Sequence, residues 1–224
     1  QGLPTVALIW KMDDPVWVPQ WPLTAEKIQA LTELIQQQLK QGHLRPSFSP
    51  WNTPCFVKYI PNTPVSVIKK KSGKWRFLHD LRRVNKVMKT MGALQPGLPS
   101  PAALPKEHHL LIIDIKDCFF SIPLAEKDKE QFAFSVPEVN NAGPVQRYEW
   151  TVLPQGMKNS PTICQWYVNQ ALQPWKKRHP YHIVYHYMDD ILICSKKPLT
   201  ENEEKDLCNA LQKYGLYIAP EKIQ

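Results

Sequence analysis

The sequence predicts an α+β fold, in which helices pack on one face of an antiparallel sheet. Segments with helical periodicity alternate with short strand-like segments, in the order helix, hairpin, strand, helix, strands, helix, hairpin, helix and strand. Twenty-two prolines and only eight glycines separate these segments, and there is no long low-complexity stretch. The 224 residues, 43% of them apolar, are enough for one large core or two small cores that share an interface.

The first predicted elements are an extended arm over residues 1–23, rich in proline and tryptophan, and a helix that Thr24 caps. This helix ends at Gly42 and has one apolar stripe, made of Ile28, Leu31, Leu34, Ile35 and Leu39. Residues 55–79 are predicted to form a basic hairpin with its turn at Ser72-Gly73.

The apolar run from Leu110 to Ile115 is typical of a strand buried on both faces. Residues 131–136 and 147–152 alternate apolar and polar side chains and are predicted to pair antiparallel. Ser160 followed by a proline predicts an N-cap and a helix to about Trp175. The remaining predicted elements are the strands His182–Tyr187 and Ile191–Ser195, a helix over Thr200–Tyr214 and a strand over Leu216–Ala219.

The formal net charge of +8 is concentrated between residues 58 and 89, where ten basic side chains accompany one acidic residue, Asp80. A basic run is often only a solvated surface. Here Tyr59, Trp75 and Phe77 lie within it, which favours contacts with phosphates and stacking on bases.

Cysteine and histidine patterns give no evidence of a metal site. The five cysteines are widely spaced and form no Cys-x-x-Cys, so we expect buried thiols in a reducing compartment. The seven histidines show no metal-ligand spacing with each other or with cysteine. No apolar run approaches the roughly 18–20 residues of a membrane span, and residues 1–10 lack the features of a signal peptide.

The sharpest feature is Tyr187-Met188-Asp189-Asp190, which lies between two apolar strands. Taken alone, an Asp-Asp pair is ordinary hairpin-turn chemistry. Asp114, at the end of another apolar strand, changes this interpretation, because carboxylates from adjacent strands are suited to binding Mg²⁺. Two such ions hold the attacking and leaving oxygens of a phosphoryl displacement. Three aspartates in a strongly basic chain therefore favour a metal site.

Five sequence blocks extend this interpretation. They are Pro15–Leu23; Lys74-Trp75-Arg76 with Asp80-Leu81-Arg82 and Asn85; Ile113–Leu124; Leu153–Met157 with Ser160–Gln165; and Tyr187–Asp190. In this order they cover nearly the whole chain, and together they resemble the fingers and palm of retroviral reverse transcriptases. The resemblance is closest to alpha- and betaretroviral enzymes and related endogenous retroviruses.

The resemblance implies an RNA-directed and DNA-directed DNA polymerase that adds deoxynucleotides to a primer 3′ end with two Mg²⁺ ions, or Mn²⁺. Its partners would be an RNA or DNA template with primer and deoxynucleoside triphosphates, in the cytoplasm or a virion core and without a membrane. Asp114, Asp189 and the backbone carbonyl of Ile115 would hold the ions, and Asp190 would support them.

The resemblance also implies contacts with the incoming nucleotide. Lys70 and Arg76 would grip the triphosphate, which the backbone N–H groups of Asp117 and Cys118 would also contact. Gln155 would lie beside the sugar, and Met188 would rest against the nucleotide or the primer end. Phe119 would lie under the ribose. An aromatic ring at Phe119 would clash with a 2′-hydroxyl and so reject ribonucleotides.

The implied domains are an arm and fingers over residues 1–109 and mainly palm over residues 110–224, with a further fingers portion at about 124–152. Residues 58–67 look like an insertion relative to the family, and we expect it to lengthen a loop at little energetic cost. No segment resembles a thumb, connection or ribonuclease H, so we expect weak, distributive synthesis unless further domains or a second subunit grip the duplex.

Two other functions stay open at this stage. A catalytically silent nucleic-acid-binding remnant or fragment is favoured by the insertion and the missing domains, and opposed by the three intact aspartates. An RNA-synthesising polymerase would share the palm, but Phe119 disfavours it.

Overall fold

The computed structural model describes residues 2–62, 73–92, 108–139 and 145–219. The chain forms two compact units, each built from separate stretches of sequence. Unit I comprises Gln1–Thr5, Thr90–Pro123 and Asn159–Gln224, and unit II comprises Val6–Lys89 and Leu124–Lys158. Both contain helices and antiparallel strands, as the predicted α+β class requires. No helix among the described residues is both long enough and apolar enough to cross a membrane.

Unit II begins with the predicted helix. Helix α1 spans Ala25–Lys40, and Thr24 caps it by accepting a hydrogen bond from the backbone N–H of Lys27. Ile28, Leu31 and Ile35 of the predicted stripe are buried. A short helix, α2, follows later at Arg82–Lys86. The cap and the stripe of α1 are therefore confirmed.

The strands of unit II form two sheets. The strands are β1 Leu44–Pro46, β2 Cys55–Pro61, β3 Gly73–His79, β5 Ala133–Val136 and β6 Gln146–Trp150. One sheet has the order β1–β6–β5, and the other is the antiparallel pair β2–β3, whose register runs from Cys55 opposite His79 to Pro61 opposite Gly73. The basic hairpin and the pairing of the two later strands are confirmed, whereas Ser72 of the predicted turn lies outside the described residues.

His79, the last residue of β3, is buried with defined hydrogen bonds on both ring nitrogens. The indole N–H of Trp150 donates to Nδ1 at 3.2 Å, and Nε2 lies 2.7 Å from the hydroxyl of Thr53. Because an indole nitrogen can only donate, Nδ1 must be the acceptor, so the proton of the neutral ring is on Nε2 and is donated to Thr53. Burial lowers the pKa of His79 to about 3, which the charge of Asp80 offsets only in part.

Stability should therefore fall on mild acidification. The pKa of His79 is about 3 in the folded chain and 6.5 as its ordinary value, so below pH 6.5 the unfolded state binds the extra proton. This group alone should remove about 2 kcal/mol of unfolding free energy between pH 7 and pH 5. Urea titrations at pH 7 and pH 5 measure this loss of unfolding free energy. His79→Gln should reduce the loss, whereas the control His109→Gln, at an exposed site, should show the same loss as the unsubstituted chain. An equal loss in both variants would contradict the assignment.

The described part of unit I contains the strands β4 His109–Asp114, β7 Ile183–Tyr187 and β8 Asp190–Ser195 and the helices α3 Ser160–Arg178 and α4 Glu201–Gln212. The three strands form an antiparallel sheet of order β4–β8–β7. These elements lie within a few residues of their predicted bounds. Helix α4 has a capping box, in which Thr200 and Glu203 exchange side-chain and backbone hydrogen bonds.

Two element boundaries in unit I differ from prediction. The N-cap of α3 is Asn159 and not Ser160, so Pro161 is one position further into the first turn. The last predicted strand is a single bridge between Ile115 and Ile218. Two backbone hydrogen bonds hold it there, but the short segment does not extend into a strand.

The prediction that Leu110–Ile115 is buried on both faces was wrong. Ile113 is buried, but Leu110 and Ile112 are 49% and 42% exposed. Side chains of a strand alternate between its faces, so Asp114 lies on the same open face as Leu110 and Ile112. Its carboxylate therefore avoids the cost of burial in an apolar core.

Candidate metal and nucleotide site

Three aspartates of unit I converge where β4 ends and β8 begins. Asp114 is directly opposite Asp190 in the register of β4 and β8, and Asp190 is also opposite Tyr187 of β7. Asp189 completes the cluster from the β7–β8 turn, where its backbone carbonyl accepts a hydrogen bond of 2.8 Å from the N–H of Ile115. One carboxylate oxygen from each aspartate lies within 4.8 Å of the other two. We call this cluster the aspartate triad.

The triad concentrates negative charge at one point. The pKa of Asp189 is raised, first because the side chain is half-buried and then because Asp190 and Asp114 repel its charge. Carboxylate oxygens so close together are stabilised when a divalent cation joins them, and hard oxygen donors suit Mg²⁺ or Mn²⁺. The donor set thus fits the predicted metal.

The turn that carries Asp189 has an unusual backbone. Met188 is in the left-handed region with φ 52°, where a bulky side chain costs energy that the surroundings must offset. Gln165 of α3 supplies the restraint. Its side-chain carbonyl accepts the Met188 N–H at 2.5 Å, and its amide nitrogen donates to the backbone carbonyl of His186 at 3.0 Å.

Gln165 therefore fixes the turn from both sides, although the sequence pointed to it only as part of a motif. Replacing it by leucine should remove both bonds and lower, by about 10- to 100-fold, any rate that depends on the position of the Asp189 carboxylate, because small displacements of reacting groups are costly. Gln165→Glu keeps the acceptor for Met188 and should lose less. Comparing kcat/KM of each variant with that of the unsubstituted chain checks this prediction. Equal kcat/KM for Gln165→Leu and the unsubstituted chain would contradict it.

The residues after β4 form a tight structure beside the triad. Asp117 is exposed with φ 46°, and its backbone carbonyl accepts a hydrogen bond from the Ser121 hydroxyl. Cys118 is buried, and its sulfur lies 3.0 Å from that of Cys164. This contact and burial raise the pKa of the Cys118 thiol. Phe119 is half-buried and begins a short 3₁₀ helix ending at Ser121.

Two predicted nucleotide-binding residues belong to unit II. Arg76 of β3 and Gln155 are both exposed, and the guanidinium donates to the Gln155 side-chain oxygen at 3.5 Å. Asn85 holds the loop after Gln155, because its amide donates to the Gly156 carbonyl and its oxygen accepts from the Lys158 N–H. Lys70 and part of the predicted insertion lie outside the described residues.

Comparison with known proteins agrees with the family resemblance of the five sequence blocks. Residues 68–224 match the model of the family described as reverse transcriptase (RNA-dependent DNA polymerase). The chain is 53% identical over 216 residues to the Gag-Pro-Pol polyprotein of Squirrel monkey retrovirus, and 55% identical over 220 residues to that of Simian retrovirus SRV-1. It is also 53% identical over 216 residues to the Pol-related polyprotein of Mouse intracisternal a-particle MIA14.

These alignments cover almost the whole chain but little of each relative. They include 96% of the chain for the squirrel monkey and mouse polyproteins and 97% for the simian one. The corresponding share of the relative is 11%, 24% and 12%. The chain therefore spans between a tenth and a quarter of the curated relatives that it matches.

Proposed function

Because the chain belongs to the reverse transcriptase (RNA-dependent DNA polymerase) family, we propose that it extends a primer 3′ end with deoxynucleotides on an RNA or DNA template. The observation that carries this proposal is the convergence of Asp114, Asp189 and Asp190 at one edge of the unit I sheet. Five free cysteines fit work in the reducing cytoplasm or a virion core.

Asp114, Asp189 and the backbone carbonyl of Ile115 would hold two Mg²⁺ ions, or Mn²⁺ in their place, with Asp190 supporting from the side. When bound, the ions supply charge neutralisation for the transferring phosphoryl group and an activated primer hydroxyl. The protein contributes position. The hydrogen bond between Ile115 and Asp189 and the bonds of Gln165 to the turn fix the aspartates before substrate arrives.

The incoming nucleotide would be contacted at its triphosphate, at its sugar and near the primer end. Arg76 would offer a planar fork of donors for phosphate oxygens and Lys70 a point charge. The backbone N–H groups of Asp117 and Cys118 would also contact the triphosphate. Gln155 would contact the sugar, which agrees with its bond to Arg76. Phe119 would be the barrier to a 2′-hydroxyl, and Met188 would contact the nucleotide or the primer end.

We assign unit II to the arm and fingers and the part of unit I after residue 109 to the palm. Residues 1–5 and 90–109, which were expected in the arm and fingers, belong to unit I. Unit II inserts Leu124–Lys158 between the two main stretches of unit I, which supports the expectation that a fingers portion at about residues 124–152 interrupts the palm. The relatives are several times longer than this chain, so further domains or a second subunit would hold the duplex.

Primer extension tests the proposal. We expect Mg²⁺-dependent addition of deoxynucleotides to a primer on an RNA template, abolished by a chelator and restored by added Mg²⁺ or Mn²⁺. Binding of the same template–primer is measured in parallel. Binding without extension in either metal would instead support the silent nucleic-acid-binding fragment, and preference for ribonucleotides would support an RNA-synthesising polymerase.

A further inference from the structure

A second cluster of metal-ligating side chains lies in unit I, formed by His179, His182 and Glu203. One potential ligand atom from each lies within 4.8 Å of the other two. The Glu203 carboxylate oxygen Oε2 is 2.5 Å from Nε2 of His182 and 3.4 Å from Nδ1 of His179. The histidine pattern did not predict this set, because His179 and His182 are only three residues apart in the sequence but Glu203 lies 21 residues beyond His182.

The cluster joins three elements of unit I. His179 caps the end of α3, His182 directly precedes β7, and Glu203 is in the first turn of α4. Trp175, fully buried, packs against both imidazole rings with centroid distances of 4.5 Å and 5.9 Å. Its indole N–H donates to the backbone carbonyl of Glu203. The two rings are therefore held nearly parallel beside the carboxylate.

His179 also has the outer hydrogen bond that metal-binding histidines usually make. Its Nε2 lies 3.2 Å from a carboxylate oxygen of Asp206, while Nδ1 faces Glu203. A histidine that binds a metal through one nitrogen typically donates the other N–H to a carboxylate, which fixes the tautomer. Arg178 holds Asp206 in place through two hydrogen bonds of 3.0 Å and 3.1 Å.

The ligand spacing suits a small tetrahedral ion. Metal bonds of about 2.0–2.1 Å at tetrahedral angles place neighbouring ligand atoms roughly 3.3 Å apart. The distance from Glu203 to His179 is already 3.4 Å, whereas that to His182 is 2.5 Å, so His182 must shift by less than about an ångström. The ligand atom of His182 is Nε2, which faces Glu203, whereas its Nδ1 points away and is buried without a hydrogen-bond partner among the described residues.

We propose that His179, His182 and Glu203 form a binding site for a divalent ion of the zinc class, separate from the aspartate triad. Two imidazoles and one carboxylate match the preference of Zn²⁺ and differ from the all-oxygen triad. The ion would tie the end of α3 and the start of α4 to the strand that leads into the Met188-Asp189 turn. The ion would stabilise the packing of these three elements, which position the turn.

The test uses a background in which Asp114, Asp189 and Asp190 are all replaced by asparagine, so that the triad cannot bind the probe. Zn²⁺ is titrated by calorimetry, and Co²⁺ is added as a visible-absorption probe of coordination. We expect one equivalent of either ion to bind, and the melting temperature to rise by roughly 5–10 °C at a hundredfold excess of Zn²⁺ over its dissociation constant.

Four further substitutions in that background locate the ion. His182→Gln and His179→Gln should each weaken Zn²⁺ binding more than tenfold, and Asp206→Asn, which leaves the ligands in place, by about tenfold. His109→Gln removes one exposed histidine and should change nothing. X-ray absorption of the Zn²⁺ form should report nitrogen and oxygen ligands only.

Three outcomes would overturn the proposal. Zn²⁺ could bind equally well to the triple-asparagine background and to the same background carrying His182→Gln, no saturable binding could occur, or X-ray absorption could show sulfur ligands. In the first two cases the cluster would be only a network of ion pairs between the histidines, Glu203 and Asp206. Because the aspartate triad is absent from the test protein, these outcomes are independent of whether the chain polymerises DNA.

Discussion

Replacing Asp189 by asparagine is expected to lower primer extension by at least about 10³-fold while template–primer binding is retained. Asparagine keeps the shape of the side chain and removes its charge, so the site loses several kcal/mol of metal affinity and transition-state stabilisation, and each 1.36 kcal/mol is tenfold in rate. Single-turnover extension on an RNA template, with binding measured by fluorescence anisotropy, gives both quantities.

The variant should also be at least as stable as the parent. The raised pKa of Asp189 means that the fold disfavours its charge, because burial and the neighbouring Asp190 and Asp114 oppose it. Removing that charge should leave the melting temperature unchanged or higher in the absence of metal. Loss of activity with unchanged stability separates a catalytic role from a structural one.

Asp13→Asn is the matched control for this experiment. Asp13 is exposed on the N-terminal arm, so the same loss of one charge should leave the rate unaltered. Retention of more than a tenth of the parent rate in Asp189→Asn would contradict the assignment of Asp189 as a metal ligand. Loss of binding in the same variant would point to damage beyond the metal site.

Much of the fold could be predicted because its signals are local. Thr24 and the stripe from Ile28 to Ile35 specify α1 within a few turns of chain. The apolar runs on both sides of Met188-Asp189 likewise specify a hairpin, since two strands separated by two residues have few other ways to pair. Both kinds of pattern are complete within about 15 residues of sequence.

The convergence of the aspartates was also predictable, but for another reason. Asp114 is far in sequence from Asp189, and periodicity alone does not show that their strands are neighbours. The family blocks provided that information. The structure places Asp114 opposite Asp190 in the β4–β8 register, which is a geometric fact that no local pattern contains.

The contacts that the sequence did not indicate depend on single side chains reaching across the fold. Gln165 reaches the Met188 turn from helix α3, and nothing in the local sequence pattern distinguishes it from any other polar residue on a helix. The open face of β4 was missed because an apolar run predicts strand burial without showing how many faces are covered. His182 and Glu203 meet only after two helices and a strand have assembled.

The N-terminal arm provides the clearest case of such a contact, at Asp128. This side chain is buried, with 1% of its surface exposed, and its two oxygens accept hydrogen bonds from the Leu8 N–H at 2.8 Å and the Trp10 indole at 2.9 Å. Trp10 in turn packs against Trp51 and Phe132, at centroid distances of 5.5 Å and 6.0 Å. The Asp128 carboxylate, 120 residues from Leu8 in sequence, therefore joins the backbone hydrogen bonds of Ile9 and Lys11 in holding the arm to the rest of unit II.

Asp128→Ala should therefore destabilise unit II by about 2–4 kcal/mol, because it leaves the buried Leu8 N–H and the part-buried Trp10 indole N–H without an acceptor, and an unsatisfied buried donor costs roughly 1–3 kcal/mol. Asp128→Asn keeps one acceptor and should lose about half as much. Urea titration at pH 7, with tryptophan fluorescence as the probe, measures both changes, and Asp14→Ala at an exposed position on the same arm is the control.

A loss below about 1 kcal/mol in Asp128→Ala would mean that water satisfies both donors and that the arm is held mainly by its aromatic contacts and backbone hydrogen bonds. Trp10→Phe distinguishes these contributions, since it removes the indole donor and keeps a ring against Trp51 and Phe132. If the carboxylate is the main attachment, Asp128→Ala and Trp10→Phe combined should cost little more than Asp128→Ala alone, because both substitutions remove the same hydrogen bond.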